Sequence, residues 1–323
     1  MASVLYFLKK LALAPLLVWS VVTLTFFLLE LSPGDVADKY FNPETPPEVR
    51  ALIVAKYHLD DPSWVRYLAM LRNLATFDFG RSMAQDRPVF DIIWQSLPNT
   101  VLLSGISLLV IYPTGIFVGT LQALRQNRPF DTVASVSTLL LYSMPEFWLA
   151  MMLQLVASRT GLLPTSGMMD PVMYEFMTPA EQWWDRGIHL VLPGVAMGLT
   201  SAGATARYMR SSMLEVIRQD YIRTARAKGL RESAVVVRHA MRNAMLPVIT
   251  LMGLSVPALF SGTLIIETIF AWPGMGRTIV GAIFAQDTPL IIACFYVFTL
   301  LVVTGNLLAD LAYAWADPRI RLR

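Results

Sequence analysis

The chain has 323 residues, 55% of them hydrophobic and 15% charged, with a formal net charge of +3. Soluble domains carry roughly 25% charged residues, so the soluble globular class is excluded first, and the small net charge leaves the basic residues to be explained locally. A single cysteine, Cys294, lies in an apolar run and excludes an internal disulfide, a Cys-x-x-Cys redox pair and a zinc cluster; it reads as a small buried hydrophobe.

Six stretches are long and apolar enough for a helix to cross a bilayer, which takes about 20 residues. They are 11–29, 99–123, 132–158, 188–206, 243–266 and 288–309. Five hold no Lys, Arg, Asp or Glu, and the third holds only Glu146. No run alternates with a strand's period over the roughly 10 residues that a membrane barrel needs. The expected fold is all-α: a polytopic membrane bundle of six transmembrane helices, with residues 1–30 as N-terminus and first helix, 31–98 as an extracytoplasmic loop domain, and 99–323 as a five-helix membrane core with a cytoplasmic loop at 207–243.

The first stretch follows Lys9 and Lys10, yet its exit, "LLELSPGD", offers no small-residue cleavage site, so it reads as a retained helix. Residues 31–98 form a polar excursion in which "PETPPEVRALIVAKYHL" reads as a turn and an amphipathic helix. With both termini cytoplasmic, 16 Lys and Arg lie inside and 3 in the two shorter outer segments, the asymmetry expected of cytoplasmic loops. Trp183 and Trp184 read as interface anchors. Pro15, Pro113, Pro145, Pro193, Pro247 and Pro257 fall within spans, where neighbouring helices must satisfy the freed carbonyls. Gly115/Gly119 and Gly194/Gly198 permit close helix approach.

Glu146 in "YSMPEFWLAMM" is the one acid at span depth, where a charge costs about 2.5–3.5 kcal/mol and faces a cavity or a partner. Two readings stand: a polar point on a substrate path, with Tyr142, Trp148 and Met151 beside it, or a structural hydrogen bond to a neighbouring span or subunit. Glu30, Glu267 and Asp310 lie near span ends and read as solvated by the interface. His58, His189 and His239 fall in three separate regions, so none reads as a ligand or base. No Gly-x-x-x-x-Gly-Lys-Ser/Thr loop, Gly-x-Ser-x-Gly or His-Glu-x-x-His occurs, so the chain reads as neither an ATPase nor another enzyme.

Nine Lys and Arg fall between Arg207 and Arg242, against Glu215, Asp220 and Glu232. Ser212 and Glu215 have capping-box spacing and are expected to start a helix. Asp220 is expected to cap a short helix, Tyr221 to Lys228, that Gly229 ends. A third helix is expected from Glu232 to Met245, with Arg231, Arg238 and Arg242 on one face and Val235, Val236 and Met241 supplying apolar surface. Headgroup attraction explains the charges but not the small residues Ala225, Ala227 and Gly229. Nucleic acid would need aromatic interleaving, and only Tyr221 is aromatic. Docking to a cytoplasmic protein accounts for the short helix, the small residues and the charge together.

Here the residues resemble a family. "DYIRTARAKGL…HAMRNAMLPV" resembles the coupling loop of ABC importer permeases of the dipeptide/oligopeptide/nickel branch. So do "LSPGD", "DFGRS", "SMPEFW", "ETIFAWPGMGR" and the terminal "DPRIR", in the same order along the chain. The gap from Gly229 to Pro247 is longer than the general family pattern and fits this branch. The resemblance implies a multi-pass subunit of the bacterial inner membrane that pairs with a second, similar permease. Two cytoplasmic ATPase subunits would carry ATP and Mg, leaving no cofactor or metal on this chain, and an outer binding protein would deliver substrate. Asp220, Tyr221, Arg223, Thr224, Ala225, Ala227, Lys228 and Gly229 would then sit in an ATPase groove. The implied cargo is small peptides, with nickel, a metal chelate, or an opine or glutathione-like compound as alternatives. Met151, Met152, Met168, Met169, Met173 and Met177 would suit a soft metal or serve as adaptable packing. An ion-coupled carrier or a membrane anchor would be a different class; a carrier needs internal repeats and more ionisable residues at depth, and neither is visible.

Overall fold

The computed structural model describes residues 2–32, 46, 48 and 61–316. The amphipathic helix expected in 43–59, His58 and the closing "DPRIR" lie outside the described residues but for two positions. Helix α1 (Ala2–Glu30) is the first apolar stretch and carries Pro15 within it. Against it lies α2 (Ser63–Ala75), where Thr23 and Tyr67 join their hydroxyls at 2.7 Å. Glu30, expected to be solvated at an interface, is instead tied inside the chain by the Ser63 hydroxyl (2.7 Å) and by Arg66.

The spine of the bundle is two long helices, α3 (Val89–Leu124) and α6 (Pro179–Ile217), of 36 and 39 residues. Both outrun their expected spans, so residues 89–98 of the expected outer loop are helical. At the front of α6, Glu181 accepts the backbone N–H and the hydroxyl of Thr178, each at 2.8 Å. A side chain added at Gly115 would strike Thr205, at Gly119 Ala206 and Met209, at Gly194 Ile106, and at Gly198 Val110. Each helix thus receives the other's side chains at its own glycines, as the four-residue spacing leads one to expect. The partners keep a nearly constant offset in sequence, so α3 and α6 run parallel.

Two parallel crossings require the chain between them to cross back. That stretch, expected as one span over 132–158, is two helices, α4 (Pro129–Ser143) and α5 (Glu146–Thr160), bent by 106°. The cause is Pro145, which has no N–H to give and pushes the residue before it out of the helical region; Met144 is extended at φ −73°, ψ 134°. Helix α4 lies antiparallel to α6. The Thr138 carbonyl stands over Gly203, and Arg210 grips Asp131 with two hydrogen bonds of 2.8 Å.

Beyond α6 come α7 (Asp220–Ala227), α8 (Glu232–Ala234), a π-helical stretch (Val235–Met241), α9 (Arg242–Ala244) and α10 (Leu246–Ile269). The expected helix over 232–245 is therefore present but wound wider at its centre. The helix expected to start at Ser212 is not separate: α6 runs through it, and the Ser212 hydroxyl donates to the Ala244 carbonyl at 2.9 Å. Last are α11 (Met275–Phe284) and α12 (Thr288–Ala316). Among the described residues, four helices are long and apolar enough to cross a membrane, and the bent pair makes up to five. The remaining expected stretch, 243–266, is occupied by α10, a helix of 24 residues.

Two apolar cores result. One unites α3 from Leu103 onward with α5, α6, α7, the π-helical stretch and α10. The other unites α1, α2, the start of α3, α11 and α12, and Cys294 is buried within it.

Candidate functional site

Helix α7 has eight residues and lies on the surface of the first core. Ile222 and Ala225, three apart, are its buried face and join Val235, Val236 and Ala240 in one cluster. Tyr221, Arg223, Thr224, Ala227 and Lys228 are on its exposed side. Ala225 therefore serves the seat of α7 within the chain, while Ala227 and Gly229 alone keep the outer surface low. Asp220 is not the cap expected of it: Gln219 holds that position, and Asp220, in the first turn, accepts from Arg223 at 2.7 Å. Gly229 does end the helix, at φ +77°, a left-handed conformation open to glycine at little cost.

The seat is laced from both ends. Tyr221 accepts a hydrogen bond of 2.8 Å from the Asn243 amide across 22 residues. Arg226 reaches over Gly229 to Glu232 at 2.6 Å, and this hydrogen bond holds the Glu232 carboxyl below the usual glutamate range. Loop, short helix and π-helical stretch thus form one body resting on the ends of α6 and α10.

The second region is the bend between α4 and α5. Tyr142, Trp148 and Met151 are 55%, 43% and 51% exposed, so the described residues leave about half of each uncovered. Glu146 opens α5 beside Pro145 and is half-buried. No carboxylate partner of Arg207 is recorded among the described residues; its guanidinium lies 5.9 Å from the Tyr142 ring. Trp183 and Trp184 are exposed near the start of α6. His189 is buried against Asp185, its Nδ1 2.8 Å from that residue's carbonyl.

Two polar knots were missed by the sequence reading. Asp131, buried, receives Arg210 and the Asn127 N–H (3.0 Å); its partner is 79 residues away and nothing local announces it. Glu267 is fully buried, not solvated as expected. It accepts the Thr100 hydroxyl at 2.6 Å and the Arg277 N–H at 3.0 Å, and bonds to Thr263 and the Gly276 N–H. Gly274 leaves the space that its carboxylate fills. Trp272 donates to the Asn99 carbonyl at 3.0 Å, and Asn99 returns a bond of 2.8 Å to Pro273. The motif "ETIFAWPGMGR" is thereby a joint between α3, α10 and α11, and the signal for it lay in an acid followed by two glycines.

A family model described as "Binding-protein-dependent transport system inner membrane component" matches residues 111–322. An oligopeptide transport system permease protein, AppB of Bacillus subtilis (strain 168), is 36% identical over 317 residues, 98% of each chain. A dipeptide transport system permease protein, DppB of Escherichia coli (strain K12), is 35% identical over 333 residues, again 98% of each. Among solved structures, an amino acid ABC transporter crystallised with histidines resembles the chain with a TM-score of 0.50 at 13% identity, over 69% of this chain and 92% of that one. At that identity the likeness concerns the fold alone.

Proposed function

This chain belongs to the binding-protein-dependent transport system inner membrane components, and from that premise we propose that it is the permease subunit through which small peptides enter the cell. It is a multi-pass protein of the bacterial inner membrane and a subunit of an ABC importer of the peptide family. Relatives that match it nearly end to end carry oligopeptide and dipeptide transport in their names, and that is the support for the cargo. In this reading α10 is the fifth of six crossings along the chain, and both termini are cytoplasmic. A second permease covers the open face of α4 and α5, a binding protein docks outside, and two ATPase subunits bind ATP and Mg inside.

The observation that carries the mechanism is the seat of α7. Its exposed side offers Tyr221, Arg223, Thr224, Ala227 and Lys228, while Ile222 and Ala225 root it in the same apolar core as α6 and α10. A push on α7 is therefore a push on the bundle. ATP-driven closure of the ATPase pair would move the half-bundles against one another and expose the path alternately to the two sides.

Gly229→Asp tests this. A Cβ at Gly229 meets nothing within 4 Å, so the cost is the left-handed backbone and a new charge at the docking rim. In liposomes holding the complete transporter, the variant is expected to assemble yet lose most substrate-stimulated ATP hydrolysis. Undiminished stimulation would remove α7 from the coupling path.

A further inference from the structure

We propose that Arg207 and Glu146 hold the two charged ends of a peptide in transit, Arg207 taking the terminal carboxylate and Glu146 the terminal ammonium. This rests on the peptide reading above and adds to it the residues that read the cargo's charge.

The geometry begins with register. Asp131 meets Arg210, and Thr138 meets Gly203, so antiparallel α4 and α6 bring Tyr142 deeper into the bundle than Arg207 itself. Helical side chains lean toward their own N-termini, so Arg207 leans away from the Asp131–Arg210 end while Tyr142 leans toward it. They meet with the guanidinium 5.9 Å from the ring. An arginine serving only to snorkel would turn to the nearer polar surface. Arg210, one turn on, is neutralised by Asp131; Arg207 has no such carboxylate recorded among the described residues.

Glu146 supplies the opposite charge just past the bend. On α4, Tyr142 shares the α6-facing side with Asp131 and Thr138. On α5, Glu146 shares a stripe with the buried Leu149 and Ala150. Both stripes turn toward the bundle, and no salt bridge of Glu146 is recorded among the described residues. Only Ser143, Met144 and Pro145 lie between Tyr142 and Glu146, so their Cα atoms are at most about 14 Å apart even when the chain is fully extended, which is the scale of short peptides. A cation over an exposed ring and an unpaired acid, flanking a bend at span depth, complement a zwitterion. Charges in such segments face a cavity or a partner, and a guanidinium binds carboxylate strongly by paired hydrogen bonds.

The test uses the complete transporter in liposomes, with uptake of alanyl-alanine, its C-terminal amide and its N-acetyl form. The binding protein is the same throughout, so its own preferences cancel when variant is divided by wild type. Arg207→Gln is expected to lower uptake of alanyl-alanine about tenfold, the effect of one lost charge-assisted contact, while leaving the amide at its wild-type rate. Glu146→Gln is expected to do the same to alanyl-alanine against the N-acetyl peptide. Arg207→Lys keeps the charge and is expected to keep the discrimination, which also answers for a Gln variant that fails to assemble. Equal losses for peptide and amide would make Arg207 structural and overturn the site. An equal loss confined to vesicles with anionic lipid would assign its anion to a lipid phosphate, which overturns it as well. Wild-type transporter that moves neither these dipeptides nor penta-alanine would refute the peptide reading, and this site with it.

Discussion

At the scale of single residues, Glu267 lies fully buried beneath Thr100 and the turn that follows Trp272. Glu146 stood out as the lone acid in an apolar run, and the structure does set it at a break beside Pro145. Glu267 looked like an ordinary interfacial acid, because nothing local says that Thr100 and the turn after Trp272 will close over it. Its knot carries a firm expectation. Glu267→Gln turns an amide N–H2 toward groups that are themselves donors, leaving buried polar groups unpaired at about 1–3 kcal/mol each. A lowered thermal midpoint of the detergent-solubilised protein checks this, and an unchanged midpoint would mean that the knot does not hold α3, α10 and α11 together.

Among elements, the signals that were legible are those with a steric cause confined to one stretch of chain. Glycines four apart marked the contact of α3 with α6, and Pro145 marked an interruption, although the size of the bend belonged to the packing around it. Helix ends were less legible: Ser212 and Glu215 had the spacing of a cap, but the buried face of α6 continues through Met209 and Met213 and overrides it. Asp220 likewise lost the capping position to Gln219. The glycine contact sets a clear expectation. Gly119→Val would drive its side chain into Ala206 and Met209, and overpacking costs about 1–3 kcal/mol or more where backbone cannot yield. We expect little folded protein by size-exclusion chromatography. Gly281→Ala is the control, since a Cβ there meets nothing within 4 Å.

Across the whole molecule, the number and order of apolar stretches foretold a helical membrane bundle, while its division into two cores could not be read from them. Helix α3 enters both cores, and the Glu267 knot lies at their seam. The core that holds α7 also holds α5, the helix that leaves the bend, through Ala150 and Ala157, so the proposed docking surface and the proposed path share one apolar core. Ala225→Leu tests that continuity from the inside. A larger side chain under α7 would lift it from Val235, Val236 and Ala240 without altering its exposed side. Substrate-stimulated ATP hydrolysis is expected to fall several-fold while the partner chains still co-purify. Full stimulation would show that α7 need not sit rigidly on its seat.

The brevity of α7 also bears on how such a machine is put together. Eight residues are too few for a helix that stands alone in water, and the surface it rests on is built from Val235, Val236 and Ala240 of the π-helical stretch, which share an apolar core with α6 and α10. A newly made chain whose spans have not yet closed has no ordered helix to present. With the ATPase docking on α7 as proposed, recruitment of the motor becomes an inspection step: only a permease that has finished folding in the bilayer displays its credential on the other side.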